Sequence, residues 1–393
     1  MEICILTSKF GESEYYSPRY RELSASYLAK GHTVHIVDLM RKGQLSYERL
    51  GNLHIHRMKG LGIPLLANRI LLGVLARKTL RQIEDKVDIF DAHDIHAFLL
   101  RHIIKKPFVV FMPTPNIELF KSVSFAEGGF LGLGDNAIFI IFVAVVSFVQ
   151  YLALKGAAAI ITTCRHYRDF IVCRWHINEE KVMVIPAGVN IKKFTLENQD
   201  NIYASLLNIQ GEKVILTMAR LSQHKGIQYL IKAFKEISLE FPDVILVIAG
   251  DGRYRRHLEA LTNKLGCRGR VRFAGWVDYE KQAQSIYALC DIFVLPSPVE
   301  GTPLVLLEAM ASGKPVIATD TGGVSGIIDD GRNGFIIEPK DILGLKERIL
   351  LLLNSGDLRR RIGEAARAKM VERFSWDKIA DDMLKIYSDL AGR

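Results

Sequence analysis

The sequence is poor in the features that mark several large classes of protein. Its 393 residues include five cysteines, Cys4, Cys164, Cys173, Cys267 and Cys290, widely scattered and without a CxxC pair. Neither a disulfide framework nor a zinc ribbon is expected, and a reducing compartment is. The opening MEICILTSKF has an acidic residue at position 2 and no basic segment ahead of an apolar one, unlike a secretory signal, so a cytoplasmic protein is expected. Prolines number 12 and no low-complexity tract is present, which excludes collagen-like and disordered chains. A formal net charge of +9 suits nucleic acid, an anionic membrane or a phosphorylated ligand equally. No Lys/Arg run is interleaved with aromatics, which argues against nucleic acid.

What is present is ordinary globular material, 49% hydrophobic and 24% charged, in a length that suggests two or three domains. Short apolar runs alternate with helical patterns throughout, the mark of an α/β fold with parallel sheets. In the first half, strands are expected near 3–7, 34–37, 88–92, 108–112, 159–163 and 182–185. The polar stretch 195–211 lowers hydrophobicity and marks a linker. Strands then follow near 214–218, 245–249, 271–274, 292–295, 316–318 and 335–337, a second Rossmann-like unit. A last amphipathic helix from Ser375 to Leu390 repeats apolar residues at Ile379, Met383, Ile386 and Leu390.

Three segments of the second half carry chemistry. In VILTMARLSQHKG, Arg220 and Lys225 lie on a strand-to-helix loop, where two cations neutralise a diphosphate, or simply face water. VIAGDGRYRR sets Gly250 and Gly252 around Asp251, a phosphate-side turn or only a tight one; GxGxxG is incomplete, which disfavours a dinucleotide oxidoreductase. In PSPVEGTPLVLLEAM, Glu300 sits on a loop and Glu308 two turns into the next helix, with Gly301 and Thr302 at the helix entrance, where backbone N–H groups attract phosphate oxygens. Bare spacing leaves surface charge as the alternative for both glutamates.

Together with VIPAGV, GKPVIATDTGG, DGRNG and FSW, these segments resemble the retaining nucleotide-sugar glycosyltransferases of family 4, over most of the chain. The resemblance implies a GT-B fold: two Rossmann-like domains facing each other across a cleft, with the C-terminal helix returning to the N-terminal domain. Residues 1–190 plus 376–393 would form the acceptor domain and 191–375 the nucleotide-sugar domain. It implies further that Arg220 and Lys225 hold the diphosphate, Glu308 the ribose and Glu300 the donor sugar. Amides around Thr302, Pro303 and Leu304 would support the β-phosphate, Gly250 would line the donor site, and backbone near Trp276 would frame the base. No DxD triplet occurs, and such enzymes characteristically use protein cations instead of a metal, so no metal or other cofactor is expected. The nucleoside diphosphate sugar is the donor substrate. A non-catalytic nucleotide-sugar-binding protein is the alternative from another class, and a phosphorylase of the same fold would need a pyridoxal-phosphate lysine that is not identifiable.

The first half is less explicit. Ser17-Pro18-Arg19 leads into a helix, and Glu14 and Tyr15 stand where many relatives carry a Gly-Gly loop, so Arg19 is a candidate contact by direct charge. His93 and Asp94 end a strand in DIFDAHDIHAF and are candidates for the acceptor or donor sugar; His93 with His96 is alternatively a metal pair or a structural histidine. Pro113 stands where relatives often carry a further histidine. Ala137–Leu154 runs 18 residues without a charge, at the threshold for a membrane span. Strands on both sides of it must join one sheet, so a helix in the core or one lying in a membrane interface is expected. A basic helix at 64–83 with Arg69, Arg77, Lys78 and Arg81 would add contacts to anionic lipid. The expected protein is therefore peripheral to the cytoplasmic membrane face, with a lipid or lipid-linked acceptor; a soluble enzyme acting on a small metabolite is the alternative.

Overall fold

The computed structural model describes residues 1–8, 10, 18–115, 137–195, 202–279 and 281–392, with side chains of 137–140 left aside. The chain divides into two units. The first takes the described residues up to Ala187 together with Trp376 onward, and the second the described part of Gly188–Ser375.

In the first unit, β1 (Glu2–Leu6), β2 (Thr33–Leu39), β3 (Tyr47–Leu50), β4 (Leu53–Met58), β5 (Ile89–His93), β6 (Phe108–Met112), β7 (Ala159–Thr162) and β8 (Val182–Val184) form one sheet. Its order is β3-β4-β2-β1-β5-β6-β7-β8, parallel except where β3 runs against β4. The inner strands are apolar on both faces because helices cover both. The β3–β4 hairpin lies outside the expected strands. Its residues, YERL and LHIHRM, alternate with polar and histidine side chains at an open edge, and a Gly51-Asn52 turn with Gly51 at φ +63° closes it. On β4, His54 and His56 share a face with His35 of β2, whose ring stacks on that of His54 at 4.6 Å.

The second unit holds β9 (Lys213–Met218), β10 (Val244–Ala249), β11 (Val271–Gly275), β12 (Ile292–Leu295), β13 (Val316–Thr319) and β14 (Phe335–Ile337), all parallel, in the order β11-β10-β9-β12-β13-β14. Its core gathers around Ile215, Leu246, Val294 and the inward face of the helix Ile227–Glu240.

The helix Trp376–Ala391 completes the first unit, as expected of the fold. Ile379, Met383, Tyr387 and Leu390 are buried against that unit's sheet and the helix Arg19–Ala29. Ser26 Oγ donates to Asp377 Oδ1 at 2.9 Å, Lys30 pairs with Asp381 at 2.7 Å, and the Tyr387 hydroxyl donates to Asp91 Oδ2 at 2.5 Å.

Two expectations change in detail. The single basic helix at 64–83 is three short ones, Leu65–Ile70, Leu72–Leu75 and Arg77–Ile83, with breaks at Leu71 and Ala76 where ψ opens to about 0°. Gly73 in the middle piece lies close to the His96 and Phe98 carbonyls, so local packing sets the path there. The apolar run forms a helix, Ala137–Lys155, that is buried on one side only. Val146, Val149, Gln150, Ala153 and Leu154 turn inward, while Ile141, Phe142, Val145 and Phe148 are 41–61% exposed. No helix is long and apolar enough to cross a membrane among the described residues.

Candidate functional site

In the second unit the chain runs outward from β9 to β11, returns to β12 and runs to β14. Loops leaving the carboxyl ends of strands at such a reversal form the place where open parallel sheets bind ligands. Gly226, at φ +68° after the β9 loop, lies so close to the loop after β12 that a Cβ would stand 1.9 Å from the Pro296 carbonyl oxygen. At Gly322, φ +57°, it would stand 1.8 Å from the Glu300 carbonyl oxygen. Only glycine permits these approaches. Hydrogen bonds then join the loops: Ser297 Oγ donates to the His224 and Val299 carbonyls at 3.2 and 3.0 Å, and the Gly323 N–H donates to the Gly301 carbonyl at 2.7 Å.

This frame brings several of the expected residues together. Lys225 Nζ lies 2.6 Å from Glu300 Oε1, with both side chains largely buried. Arg220, on the same β9 loop, is exposed. Gly301 and Thr302 lead to Pro303, after which the helix Leu304–Ala311 begins without a side-chain cap, leaving the positive end of its dipole at the loop. On the neighbouring strands, the Gly250 N–H after β10 donates to the Gly275 carbonyl at 2.7 Å, and Trp276, just beyond β11, is exposed.

Glu308 is a strongly perturbed carboxylate. It is 4% exposed and accepts a hydrogen bond from the Tyr287 hydroxyl at 2.7 Å. Burial raises its pKa from the ordinary 4.5 to about 7, against the opposing effects of the Tyr287 bond and the Lys193 ammonium. A buried carboxylate whose pKa is raised toward neutrality marks a candidate functional group.

In the first unit the strand order reverses between β1 and β5. His93 ends β5 and is buried, its ring 5.6 Å from that of Tyr20 and 5.9 Å from that of Phe111. Asp94 follows in a left-handed conformation, φ +53°, and its Oδ1 accepts from Gln150 Nε2 at 2.6 Å. The His96 ring is hydrogen-bonded through Nδ1 to the His93 carbonyl and stands edge to face with the His93 ring, centroids 5.7 Å apart. No group of three His, Cys, Asp or Glu side chains suited to a metal occurs among the described residues.

Arg19, the candidate contact by direct charge, lies inside the first unit. It is 1% exposed, its guanidinium 3.7 Å over the Phe111 ring and its Nη2 3.5 Å from Met383 Sδ, so it is built into the core under the C-terminal helix. Glu14, Tyr15 and Ser17 lie outside the described residues. Of the basic set, Arg77, Lys78 and Arg81 are exposed and Arg69 is half-buried. The helices Leu65–Ile70 and Ala137–Lys155 both pack on the single turn Asp94–Ala97.

Sequence reasoning did not single out Tyr287, Lys193 or Gln150. Tyr287 reaches Glu308 from a separate segment and carries no spacing signal, nor does Lys193. Gln150 had one: it is the only amide in an 18-residue run of otherwise apolar and small side chains.

Residues 19–193 match the family described as Glycosyltransferase Family 4 and residues 198–369 that described as Glycosyl transferases group 1. An uncharacterized glycosyltransferase of Methanocaldococcus jannaschii is 29% identical over 365 residues, covering 90% of this chain and 89% of that one. A second from the same organism is 35% identical over 252 residues, covering 62% and 70%. Sucrose-phosphate synthase from Thermosynechococcus elongatus has the same fold, with a TM-score of 0.79 at 21% identity over 99% of this chain and 98% of that one. So does Anabaena HepE, solved in complex with UDP-glucose, with a TM-score of 0.72 at 20% identity over 99% and 100%.

Proposed function

The chain belongs to the group 1, family 4 glycosyltransferases of GT-B fold, and from that premise we propose that it moves a sugar from a nucleoside diphosphate sugar to a lipid or lipid-linked hydroxyl at the cytoplasmic membrane face, with retention at the anomeric carbon. The observation that carries the donor half is the pairing of two carboxylates at one sheet reversal. Glu308 is buried beneath a helix entrance, and Glu300 is ion-paired with Lys225 at 2.6 Å.

In this reading the nucleotide-sugar domain is residues 191–375. Glu308 accepts hydrogen bonds from the two ribose hydroxyls. Arg220, Lys225 and the amides at Thr302–Leu304 take the diphosphate, and Gly250, Gly301 and Trp276 line the donor. When the diphosphate claims Lys225, Glu300 is released to the sugar hydroxyls. The bond from the anomeric carbon to the diphosphate oxygen breaks as the acceptor oxygen bonds to the same face, and the leaving phosphate oxygen takes the acceptor proton. Positive charge fixed in advance around the leaving group supplies the main stabilisation, without a metal. Residues 1–190 and 376–393 handle the acceptor, with His93 and Asp94 at the sheet reversal.

Two features support the membrane. Ile141, Phe142, Val145 and Phe148 present an apolar helix face to solvent, and Arg77, Lys78 and Arg81 are exposed on the same unit. An amphipathic surface of this kind gains from buried apolar area and from anionic headgroups together, at about 1 kcal/mol per basic residue near the surface.

Proton NMR of the first product, formed from a donor of known anomeric configuration, tests the central claim. The donor's configuration should be kept, and an inverted linkage would overturn the mechanism.

A further inference from the structure

The Tyr287 hydroxyl carries one hydrogen and faces two acceptors. Its oxygen lies 2.7 Å from Glu308 Oε2 and 3.2 Å from the Val305 carbonyl oxygen, both on the helix Leu304–Ala311. Tyr287 is fully buried in the helix Ala283–Leu289, its ring centroid 5.6 Å from that of Phe194 and 5.9 Å from that of Phe293. Packing on both sides holds the oxygen in place, and the hydrogen turns towards one acceptor or the other.

Which one it serves depends on Glu308. That carboxyl is 4% exposed, and among the described residues it has no ion-pair partner and no hydrogen-bond partner but the Tyr287 hydroxyl. A carboxylate buried with so little compensation takes up a proton instead, and burial accordingly raises its pKa to about 7. The charges around it are engaged elsewhere. Glu300 is paired with Lys225 at 2.6 Å, Lys369 with Asp329 at 2.9 Å, and Lys314 donates to the Ala288 carbonyl at 3.2 Å. Arg367 is bonded to the Phe194 and Ala311 carbonyls, and the Cys290 thiol is neutral, pushed up to about 12 by burial. Lys193, its Nζ 3.9 Å from the centroid of the Tyr279 ring, opposes the proton without cancelling the effect of burial.

The pair therefore has two states. With Glu308 protonated, the carboxyl donates to the Tyr287 oxygen and Tyr287 donates to the Val305 carbonyl, so that three oxygens share two hydrogens in one chain. With Glu308 ionised, Tyr287 turns its hydrogen to the carboxylate. We propose that Tyr287 is the positioning residue of a proton-linked donor site: it holds protonated Glu308 while bonded to Val305, and it turns to brace the carboxylate when the ribose hydroxyls of a nucleoside diphosphate sugar displace that proton to solvent. The inference rests on the ribose role given to Glu308 and adds what donor binding does to that group. Hydrogen bonds from two hydroxyls favour the ionised form, and the proton that leaves Glu308 is taken up by the buffer. Tyr287 acts through Glu308 and touches no reacting atom.

Isothermal titration with UDP-glucose and GDP-mannose tests this, because the heat at one pH in PIPES and in imidazole differs in proportion to the protons released. The diphosphate of a nucleotide sugar is esterified at both ends and does not titrate between pH 6 and 8.5, so the proton is the protein's. With the donor that binds, wild type should release about half a proton or more at pH 6.5 and bind at least fivefold more tightly at pH 8.5 than at pH 6. Glu308→Gln should release none, keep one affinity across the range and bind at least fivefold more weakly than wild type at pH 8.5. Tyr287→Phe should move the rise in affinity to higher pH, with a larger loss relative to wild type at pH 7 than at pH 8.5. Equal heats in both buffers, an affinity that falls as pH rises, or a Glu308→Gln protein that keeps the wild-type release overturns the proposal. So does a Tyr287→Phe loss of one constant factor at every pH, the mark of a ring that only packs. Release by wild type and its absence in Glu308→Gln decide the proton even if Tyr287→Phe does not fold. A weakened Glu308→Gln beside a wild type that releases no proton fails the proposal alone. If Glu308→Gln binds like wild type at pH 8.5, or if neither nucleotide sugar binds wild type, the ribose reading itself fails and takes the proposal with it.

Discussion

Replacing Glu308 by glutamine should make the ligand-free protein more stable at alkaline pH, although it weakens the hold on the donor. Glu308 is 4% exposed with the Tyr287 hydroxyl as its hydrogen-bond donor at 2.7 Å, and burial lifts its pKa from 4.5 to about 7. The folded state therefore binds this proton more tightly than the unfolded chain does. That contribution is fully present below pH 4.5 and is lost as pH rises through 7. The whole gap corresponds to about 3 kcal/mol at an exchange of about 1.4 kcal/mol per tenfold change in proton affinity, an upper figure because the site relaxes when it ionises. Glutamine has nearly the same shape, keeps an oxygen for Tyr287 and never ionises. Urea unfolding followed by circular dichroism at pH 5 and pH 8.5 measures the difference. The two proteins should be nearly equal at pH 5, and the variant more stable by about 1–3 kcal/mol at pH 8.5. An advantage of the same size at both pH values, or a more stable wild type at pH 8.5, would refute the reasoning.

Lys225→Ala should lower kcat/KM for the nucleotide sugar at least tenfold while the circular dichroism spectrum stays that of wild type; unchanged kinetics in folded protein would remove Lys225 from the diphosphate site. Activity should persist in EDTA, and inhibition reversed by Mg²⁺ or Mn²⁺ would contradict a metal-free mechanism. Wild type should co-sediment with phosphatidylglycerol-containing vesicles at low salt, and an Arg77, Lys78, Arg81 triple alanine variant should do so less. Recovery of wild type wholly in the supernatant at low and high salt would defeat membrane docking.

The parallel sheets were legible because their strands are short apolar runs buried on both faces, as in FVVFM of β6 and VILVIA of β10. The β3–β4 hairpin was hidden because its edge strands mix polar side chains with a few apolar ones, although Gly51-Asn52 was a usable turn signal. Glu300, Glu308 and Lys225 could be picked out because their segments, taken with the others, resemble a family pattern; their spacing alone fits surface charge as well. Their partners could not. Tyr287 meets Glu308 only after the sheet forms, and no periodicity in a single sequence encodes that meeting. The Ala137–Lys155 helix posed a related difficulty: with no polar face, its sequence does not say which side is inward. The inward-turned Gln150, bonded to Asp94, answers that.

The helix Trp376–Ala391 sets the order in which the chain can mature on the ribosome. The last strand of the first unit ends at Val184, yet that unit's sheet is covered on one side by Ile379, Met383, Tyr387 and Leu390. Roughly 200 residues separate the two, about 10–40 s of synthesis at about 5–20 residues per second. Throughout that interval the helix Arg19–Ala29 lacks its packing partner and Asp91 lacks the Tyr387 hydroxyl. The half of the protein that is made first is therefore finished last, after the second unit has been translated and is free to fold.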